Sequence, residues 1–334
     1  MPALALGPNS KVMVYVGLDL LGDGLIKLPF VRALRHAFPQ GNLVWVAGRG
    51  KSVYGSSLAP LVRGLLNAVI EDAHIGNSAH ELLFRPLGGD QFDLVIDTQR
   101  RFLTSLILKR VRTRMFVSGT GDFVLSDVKP AEGYQKPEAM IRQMLDLLEI
   151  ATGRPAETNA PLPLEEDMRI LAAKLLRGGY AYVAIAPGAG GKHKQWPLDN
   201  FVTVARSLAH TGRVPVFLLG PDERDWYGHL SAVVPSALFP LQNAMARGYD
   251  LRADLTIALA QRCVAGLAND SGGGHLIAAS GIPLVSMFGP TDPGKFAPMA
   301  RSLTILRAQD FGGDDMKLIP PANALHALDQ LMGG

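Results

Sequence analysis

Short runs of β-branched and aliphatic residues alternate along the chain with longer stretches whose apolar positions recur every three to four residues. Val12–Val16 reads as a buried strand, followed by a Gly-rich turn and a helix predicted from about Leu25 to Ala37. Leu43–Ala47 and Leu94–Asp97 read as further strands. Pro137–Ile150 reads as a helix with Met140, Met144, Leu147 and Leu148 on one face. From Thr152 to Asp167 the alternation stops, and Pro155, Pro161 and Pro163 among Ala, Thr and Asn have linker composition. It restarts with strand Tyr182–Ala186, helix Leu198–Ala209, strand Val214–Leu219, helix Leu255–Gln261, strand Val264–Ala268, a helix from His275 and strand Pro283–Phe288. A last helical pattern, Ala322–Met332, is in a position to cross back onto the first domain. Such alternation predicts right-handed βαβ units and parallel sheets covered on both faces. The expected fold is α/β: two Rossmann-like, doubly wound domains, residues 1–160 and 161–334, with a cleft between them. Ligands are expected at the carboxyl ends of the strands.

The 334 residues suit two cores better than one, and 48% hydrophobic against 19% charged residues allows both to be buried. No repeat indicates a solenoid. The single cysteine, Cys263, excludes a disulfide framework, and no Cys/His cluster has zinc-site spacing, so no metal is expected. Met1 to Gly7 is apolar but lacks a basic start and is broken by Pro8, which is not a secretory signal. Apolar stretches fall far short of the ~20 residues that span a bilayer. A soluble, cytoplasmic protein is expected. A net charge of +3 is too mild for a nucleic-acid partner. Arg100, Arg101, Lys109, Arg110, Arg112 and Arg114 nevertheless fall together with no acidic residue among them. They read either as a solvated helix face or as a site for an anionic acceptor or lipid headgroups, with peripheral contact to an inner membrane.

Three loops at strand ends carry candidate chemistry. Gly17 to Gly24 lacks the G-x-G-x-x-G spacing of a dinucleotide site, and its distinctive residue is Asp23, readable as a helix cap or as a carboxylate at the mouth of the sheet. Pro187 to Pro197 is Gly-rich, includes Gly188, Lys192 and Lys194, and opens onto a helix. It reads as a phosphate cradle or as a surface loop, and lacks the Gly-Lys-Ser/Thr ending of a Walker loop. Asn269-Asp270-Ser271-Gly272-Gly273-Gly274-His275 again lies between strand and helix, with N–H groups for an anion and polar side chains for sugar hydroxyls or phosphates.

These blocks together resemble glycosyltransferase family 9, the bacterial heptosyltransferases. Leu21-Gly-Asp-Gly-Leu-Ile-Lys-Leu-Pro29 followed by Arg-Ala-Leu-Arg is similar to the family's opening, and Lys194-Gln-Trp-Pro197 to its Lys-x-Trp-Pro. Asn269 to His275 and Pro283 to Thr291 resemble its strongest block, and Asp93-Leu-Val-Ile-Asp97-Thr-Gln99 a further one. The resemblance implies a GT-B fold with the nucleotide sugar on the C-terminal domain. It implies Asp23 as catalytic base and Gly188, Lys194, Asp270, Ser271, Gly272, Gly273, Gly274 and His275 as the donor site. Glu223, or Asp222 one residue away, would hold the ribose. Gln99, Arg100 and Arg101 would meet the acceptor, although Arg-Arg-Phe-Leu-Thr-Ser after Gln99 departs from the family's spacing and leaves acceptor identity open.

The implied activity is inverting transfer of a sugar, heptose from ADP-heptose, onto a lipopolysaccharide-core or other surface-glycan acceptor. Asp23 would take the acceptor proton, while Lys194 and the N–H groups near Ser271–Gly274 stabilise the leaving diphosphate. No Asp-x-Asp string calls for a metal clamp. No cofactor is expected, the nucleotide sugar being a substrate. Two alternatives stand beside this: a sugar-nucleotide epimerase on the same fold, and a catalytically silent carbohydrate-binding or assembly protein. A nicotinamide dehydrogenase comes last, because neither domain has its glycine spacing.

Overall fold

The computed structural model describes residues 6–158 and 162–333. The start of the apolar N-terminal stretch, residues 1–5, and linker positions 159–161, Pro161 among them, lie outside the described residues. The chain separates into two compact units, Met1–Pro163 and Leu164–Gly334.

The first unit holds a parallel sheet of five strands in the order β3-β2-β1-β4-β5. They are β1 (Lys11–Val16), β2 (Asn42–Ala47), β3 (Ala68–Ile70), β4 (Gln91–Asp97) and β5 (Arg112–Ser118). β1 lies between β2 and β4, in register Val12↔Leu43 and Val12↔Leu94. Flanked by helices on both faces, it must be apolar throughout, and every residue from Val12 to Val16 is buried. Helix α1 (Leu21–Ala37) starts ahead of the predicted Leu25, so Asp23 lies inside its first turn. It packs against the helix Met140–Thr152, whose C-cap, Gly153, takes the left-handed conformation at φ 67°.

The second unit repeats the plan in the order β10-β9-β8-β6-β7. Its strands are β6 (Tyr182–Ala186), β7 (Val214–Phe217), β8 (Ala265–Asn269), β9 (Leu284–Phe288) and β10 (Leu303–Arg307). Trp196 is fully buried and meets Phe201 edge to face at 4.9 Å. The final helix, Pro321–Gly333, packs on helix Leu198–His210 and on β8, β9 and β10 of its own unit.

The basic stretch Arg100–Arg114 is not one helix face. It passes through helix Phe102–Leu108, turns, and enters β5 with Arg112 and Arg114. Lys109 pairs with Asp127 at 3.1 Å and Arg114 with Asp93 at 3.3 Å, while Arg110 Nε donates to the Phe84 carbonyl at 3.1 Å.

Both sheets reverse their winding about a central strand. After β1 the chain goes to β2 and β3 on one side, then returns to place β4 on the other; β6 stands likewise between β7 and β8. At such a reversal the loops leave the sheet in opposite directions and a crevice opens at the strands' carboxyl ends. The four loops concerned follow β1, β4, β6 and β8. The three candidate loops and Gln99–Arg101 are these four.

The first turn of α1 is held close against the segment after β2. Tyr54 donates its hydroxyl to the Gly24 carbonyl at 2.6 Å, and a Cβ on Gly24 would lie 2.5 Å from Val53 Cγ2 and 2.9 Å from Leu58 Cδ1. Gly24→Ala is therefore expected to overpack this contact and cost about 1–3 kcal/mol in urea unfolding. A variant as stable as the parent would show that Val53 and Leu58 yield freely and do not fix the turn.

Candidate active site

In the first unit, Asp23, Lys27, Asp97, Gln99 and Arg100 line one cavity of about 210 Å³ at the β1/β4 crevice. That is below the ~300–1,000 Å³ of a site that swallows a whole drug-sized ligand, and fits a group such as one end of a glycan. Asp23 is half-buried, and its carboxylate accepts the Leu20 N–H at only 3.5 Å. So long a contact makes a weak helix cap, and leaves the carboxylate able to accept a proton from a ligand. One turn further along α1, Lys27 is buried and forms an ion pair with buried Asp19. Trp45 Nε1–H and Ser52 Oγ–H also donate to Asp19, at 2.6 and 3.0 Å. A buried ion pair persists only when its remaining polar atoms are also satisfied, and on the carboxylate side these two donors do that.

Asp97 ends β4 and is fully buried. Its Oδ1 accepts the Gln99 N–H at 2.9 Å, and its Oδ2 accepts the hydroxyls of Ser105 at 2.5 Å and Ser118 at 2.9 Å. Burial, working against these hydrogen bonds, pushes its pKa up to about 6. Arg100 Nη1 donates to the Gly119 carbonyl at 3.0 Å, so its guanidinium lies across the loop after β5. The Gln99 amide lies on Gly17, where a Cβ would stand 3.0 Å from Oε1. Arg101 caps helix Phe102–Leu108, is exposed, and is not part of the cavity wall.

In the second unit, the loops after β6 and β8 are joined by a fully buried amide. Asn269 Nδ2 donates to the Pro187 carbonyl at 2.8 Å, and its Oδ1 accepts the Trp196 N–H at 3.2 Å. Trp196 Nε1 donates to the Ile319 carbonyl at 2.9 Å, which anchors the far end of the loop in the core. Lys194 thereby meets Asp270 at 3.0 Å and lies 5.9 Å over the Phe296 ring. Asp270 also accepts the Thr291 hydroxyl at 2.7 Å.

Ser271 is the N-cap of helix Gly272–Ser280 and accepts the Gly274 N–H at 3.4 Å. The opening N–H groups of Gly272 and Gly273 have no partner within the helix, which makes its first turn a place for an anion. A Cβ on Gly273 would stand 2.8 Å from Ala186 Cβ, so this turn presses directly on the end of β6. His275 is buried, and burial lowers its pKa to about 4 although Asp270 opposes the shift. It is a neutral imidazole at pH 7, a group for hydrogen bonding rather than for charge.

Glu223 lies with its carboxylate against Gly188, where a Cβ would come 2.3 Å from Oε1; its Oε2 accepts the Gly220 N–H at 2.9 Å. Burial raises its pKa. Asp222 is exposed. Of the two acidic neighbours, Glu223 is the one joined to the Gly188 loop.

Asp19, Lys27, Asp97, Asn269 and Thr291 shape these crevices without having been singled out as site residues. Among the described residues no three His, Cys, Asp or Glu side chains gather as a metal-ligand set. No helix among them is long and apolar enough to cross a membrane.

Two parallel doubly wound sheets in one chain, each with a polar loop cluster at its reversal point, make the GT-B architecture. The model of glycosyltransferase family 9 (heptosyltransferase) matches residues 81–317, and the chain belongs to that family. Lipopolysaccharide heptosyltransferase 2 of Escherichia coli is 30% identical over 128 residues, 37% of this chain and 36% of that protein. Lipopolysaccharide core heptosyltransferase OpsX of Haemophilus influenzae is 22% identical over 306 residues, 89% of this chain and 84% of its own. Thus the match to the former spans just over a third of the relative's length. A family 9 glycosyltransferase structure from Veillonella parvula has a TM-score of 0.68 at 20% identity, covering 98% of this chain and 99% of that one. Escherichia coli heptosyltransferase WaaC with ADP gives 0.67 at 16%, covering 96% and 99%. At these identities the two structures speak for the fold.

Asp97 and His275 titrate with opposite consequences. The folded pKa of Asp97, about 6, lies above its ordinary 3.8, so its contribution to stability is full below about pH 4 and is lost as pH rises through 6. That of His275, about 4, lies below 6.5, so its contribution is full above about pH 6.5 and is lost as pH falls through 4. Acidification from pH 7 to 4.5 is expected to favour the first sheet and weaken the second, by ~1.4 kcal/mol per unit of pKa difference. Amide exchange of β1 and β8, corrected for intrinsic rates, measures each sheet. Asp97→Asn should remove the first trend and His275→Gln the second; trends that survive both substitutions would assign them to other groups.

Proposed function

We propose that this chain transfers heptose from ADP-heptose to a surface-glycan acceptor, the lipopolysaccharide core being the foremost candidate, with inversion and without a metal ion. The observation that carries this reading is the second crevice, where Asn269 joins two loops so that Lys194 and the helix N-terminus at Gly272 stand together. Such a site suits a diphosphate: a mobile ammonium, outward N–H groups and a helix dipole all favour negative charge. Glu223, beside Gly188, supplies a carboxylate for ribose hydroxyls. Heptosyltransferases among the relatives, and WaaC with ADP among the structural neighbours, support the choice of nucleotide and sugar.

The acceptor hydroxyl enters the first crevice and gives its proton to Asp23 as its oxygen attacks the anomeric carbon. The bond from that carbon to the diphosphate oxygen breaks, and ADP departs with the electron pair. A single displacement inverts the centre. Charge growing on the diphosphate meets Lys194, which exchanges its contact with Asp270 for one with the phosphate, and the N–H groups of the Gly272–Gly274 turn. Lysine and helix together supply the positive charge that a metal clamp supplies elsewhere. Gln99 and Arg100 hold an anionic part of the acceptor beside Asp23.

Asp23→Asn is expected to lower transfer at least ~10²-fold and to leave ADP affinity unchanged. Near-parental turnover would return Asp23 to a helix-cap role. Lys194→Ala removes a charge-assisted contact of ~1.5–3 kcal/mol and should weaken ADP binding roughly 10- to 150-fold by calorimetry. An unchanged affinity would remove the diphosphate from this loop. Transfer should also survive exhaustive EDTA treatment; loss restored by Mg²⁺ or Mn²⁺ would overturn the metal-free account.

A further inference from the structure

Asp97 is a fully buried carboxylate with no cation bonded to it, and the displacement at Asp23 does not use it. Its two oxygens take three donors from three parts of the chain. Gln99 N–H comes from the loop after β4, Ser105 from helix Phe102–Leu108, and Ser118 from the end of β5. The network then closes on itself. Thr120 Oγ1 lies 2.7 Å from Ser105 Oγ and 3.2 Å from the Gln99 carbonyl, and its single proton serves one of these acceptors at a time. Gln99 is therefore held at its N–H by Asp97, with its C=O in reach of the Thr120 hydroxyl. Arg100, the next residue, is held by Gly119 between the two serine/threonine ties.

An ionised carboxylate only accepts, with about four lone-pair sites, so it alone satisfies such a set of donors at once. An asparagine there would offer one accepting oxygen and turn its NH₂ toward two hydroxyls. A fold selected for stability alone has no use for an unpaired buried charge, which disfavours the folded state at neutral pH. We propose that Asp97 is the positioning residue of the acceptor subsite, its carboxylate tying the loop that bears Gln99 and Arg100 to the loop at Ser118–Thr120. The reading of that subsite as the acceptor's rests on the transfer proposed above; the tie itself does not.

The test compares the parent chain with Asp97→Asn, Asp97→Ala and Ser118→Ala by amide exchange at pH 7.5, melting temperature, ADP calorimetry and acceptor kinetics. Exchange protection of residues 98–101 and 118–120 should fall in the order parent, Asn, Ala. Ser118→Ala, which keeps the charge, should loosen 118–120 more than 98–101. Melting temperature and ADP affinity should stay near the parent's in Asp97→Asn, while KM for the acceptor rises roughly 10-fold, the loss of about one charge-assisted hydrogen bond. Unchanged loop protection in Asp97→Ala overturns the proposal. So does a loss of acceptor use that only follows a fall in melting temperature and in ADP binding, since that pattern belongs to a merely structural carboxylate. Should Asp97→Ala not fold, the exchange patterns of Asp97→Asn and Ser118→Ala decide alone. If the parent chain transfers no heptose, the proposed function fails, and the exchange data still establish or refute the tie.

Discussion

Everything in this chain depends on where a parallel sheet reverses its winding. A strand flanked by crossovers that run to opposite sides leaves its carboxyl end uncovered, because the loops on either side depart in opposite directions. β1 with β4 makes one such place, and β6 with β8 the other. The interiors of β1, β6 and β8 are continuous apolar runs, which pushes their polar chemistry to the strand ends. Each crevice thus combines a rigid floor with backbone groups that no strand or helix has used.

Buried polar side chains then set the shape of each crevice. Asp19 holds Lys27 at the wall of the first, and Asp97 gathers the loops around it. Asn269 joins the loops of the second and, through Trp196, ties them to the core. None of the three is exposed to a meaningful degree, yet the half-exposed residues that would meet substrate, Asp23, Gln99 and Lys194, lie where these contacts direct the backbone. Glycines complete the arrangement where two parts come too close for a side chain, as at Gly188 against Glu223 and Gly24 against Val53.

The central strands and the loops bearing Asp23, Lys194 and Asp270 were legible in the sequence, because buried parallel strands announce themselves as apolar runs ended by Gly-rich turns. β3, β5 and β10 were not. They lie at sheet edges; β3 is three residues long, β5 carries Arg112 and Arg114 in its first half, and β10 is only half-buried. An edge strand needs one apolar face at most, and charge on it resists pairing with other chains. That is why the basic stretch resembled a helix face. The Asp19–Lys27 pair escaped for a different reason: contacts across 8 to 33 positions leave no local spacing to read, and Asp97, visible only as part of a family-like block, shows its ties to Ser105 and Ser118 only in the fold. Arg101, adjacent to Arg100 in sequence and at the N-cap of helix Phe102–Leu108, stays out of the cavity wall, a distinction that sequence adjacency hides.

The central claim is that the second reversal point takes the nucleotide diphosphate and the first does not. Hydrogen exchange of the full chain, with and without saturating ADP, tests it most directly. The account expects the largest gain in protection at residues 187–196, 219–223 and 270–275, with Gly272 and Gly273 among the most affected amides. Protection centred instead on residues 17–23 and 97–101, or none at any ADP concentration, would contradict it.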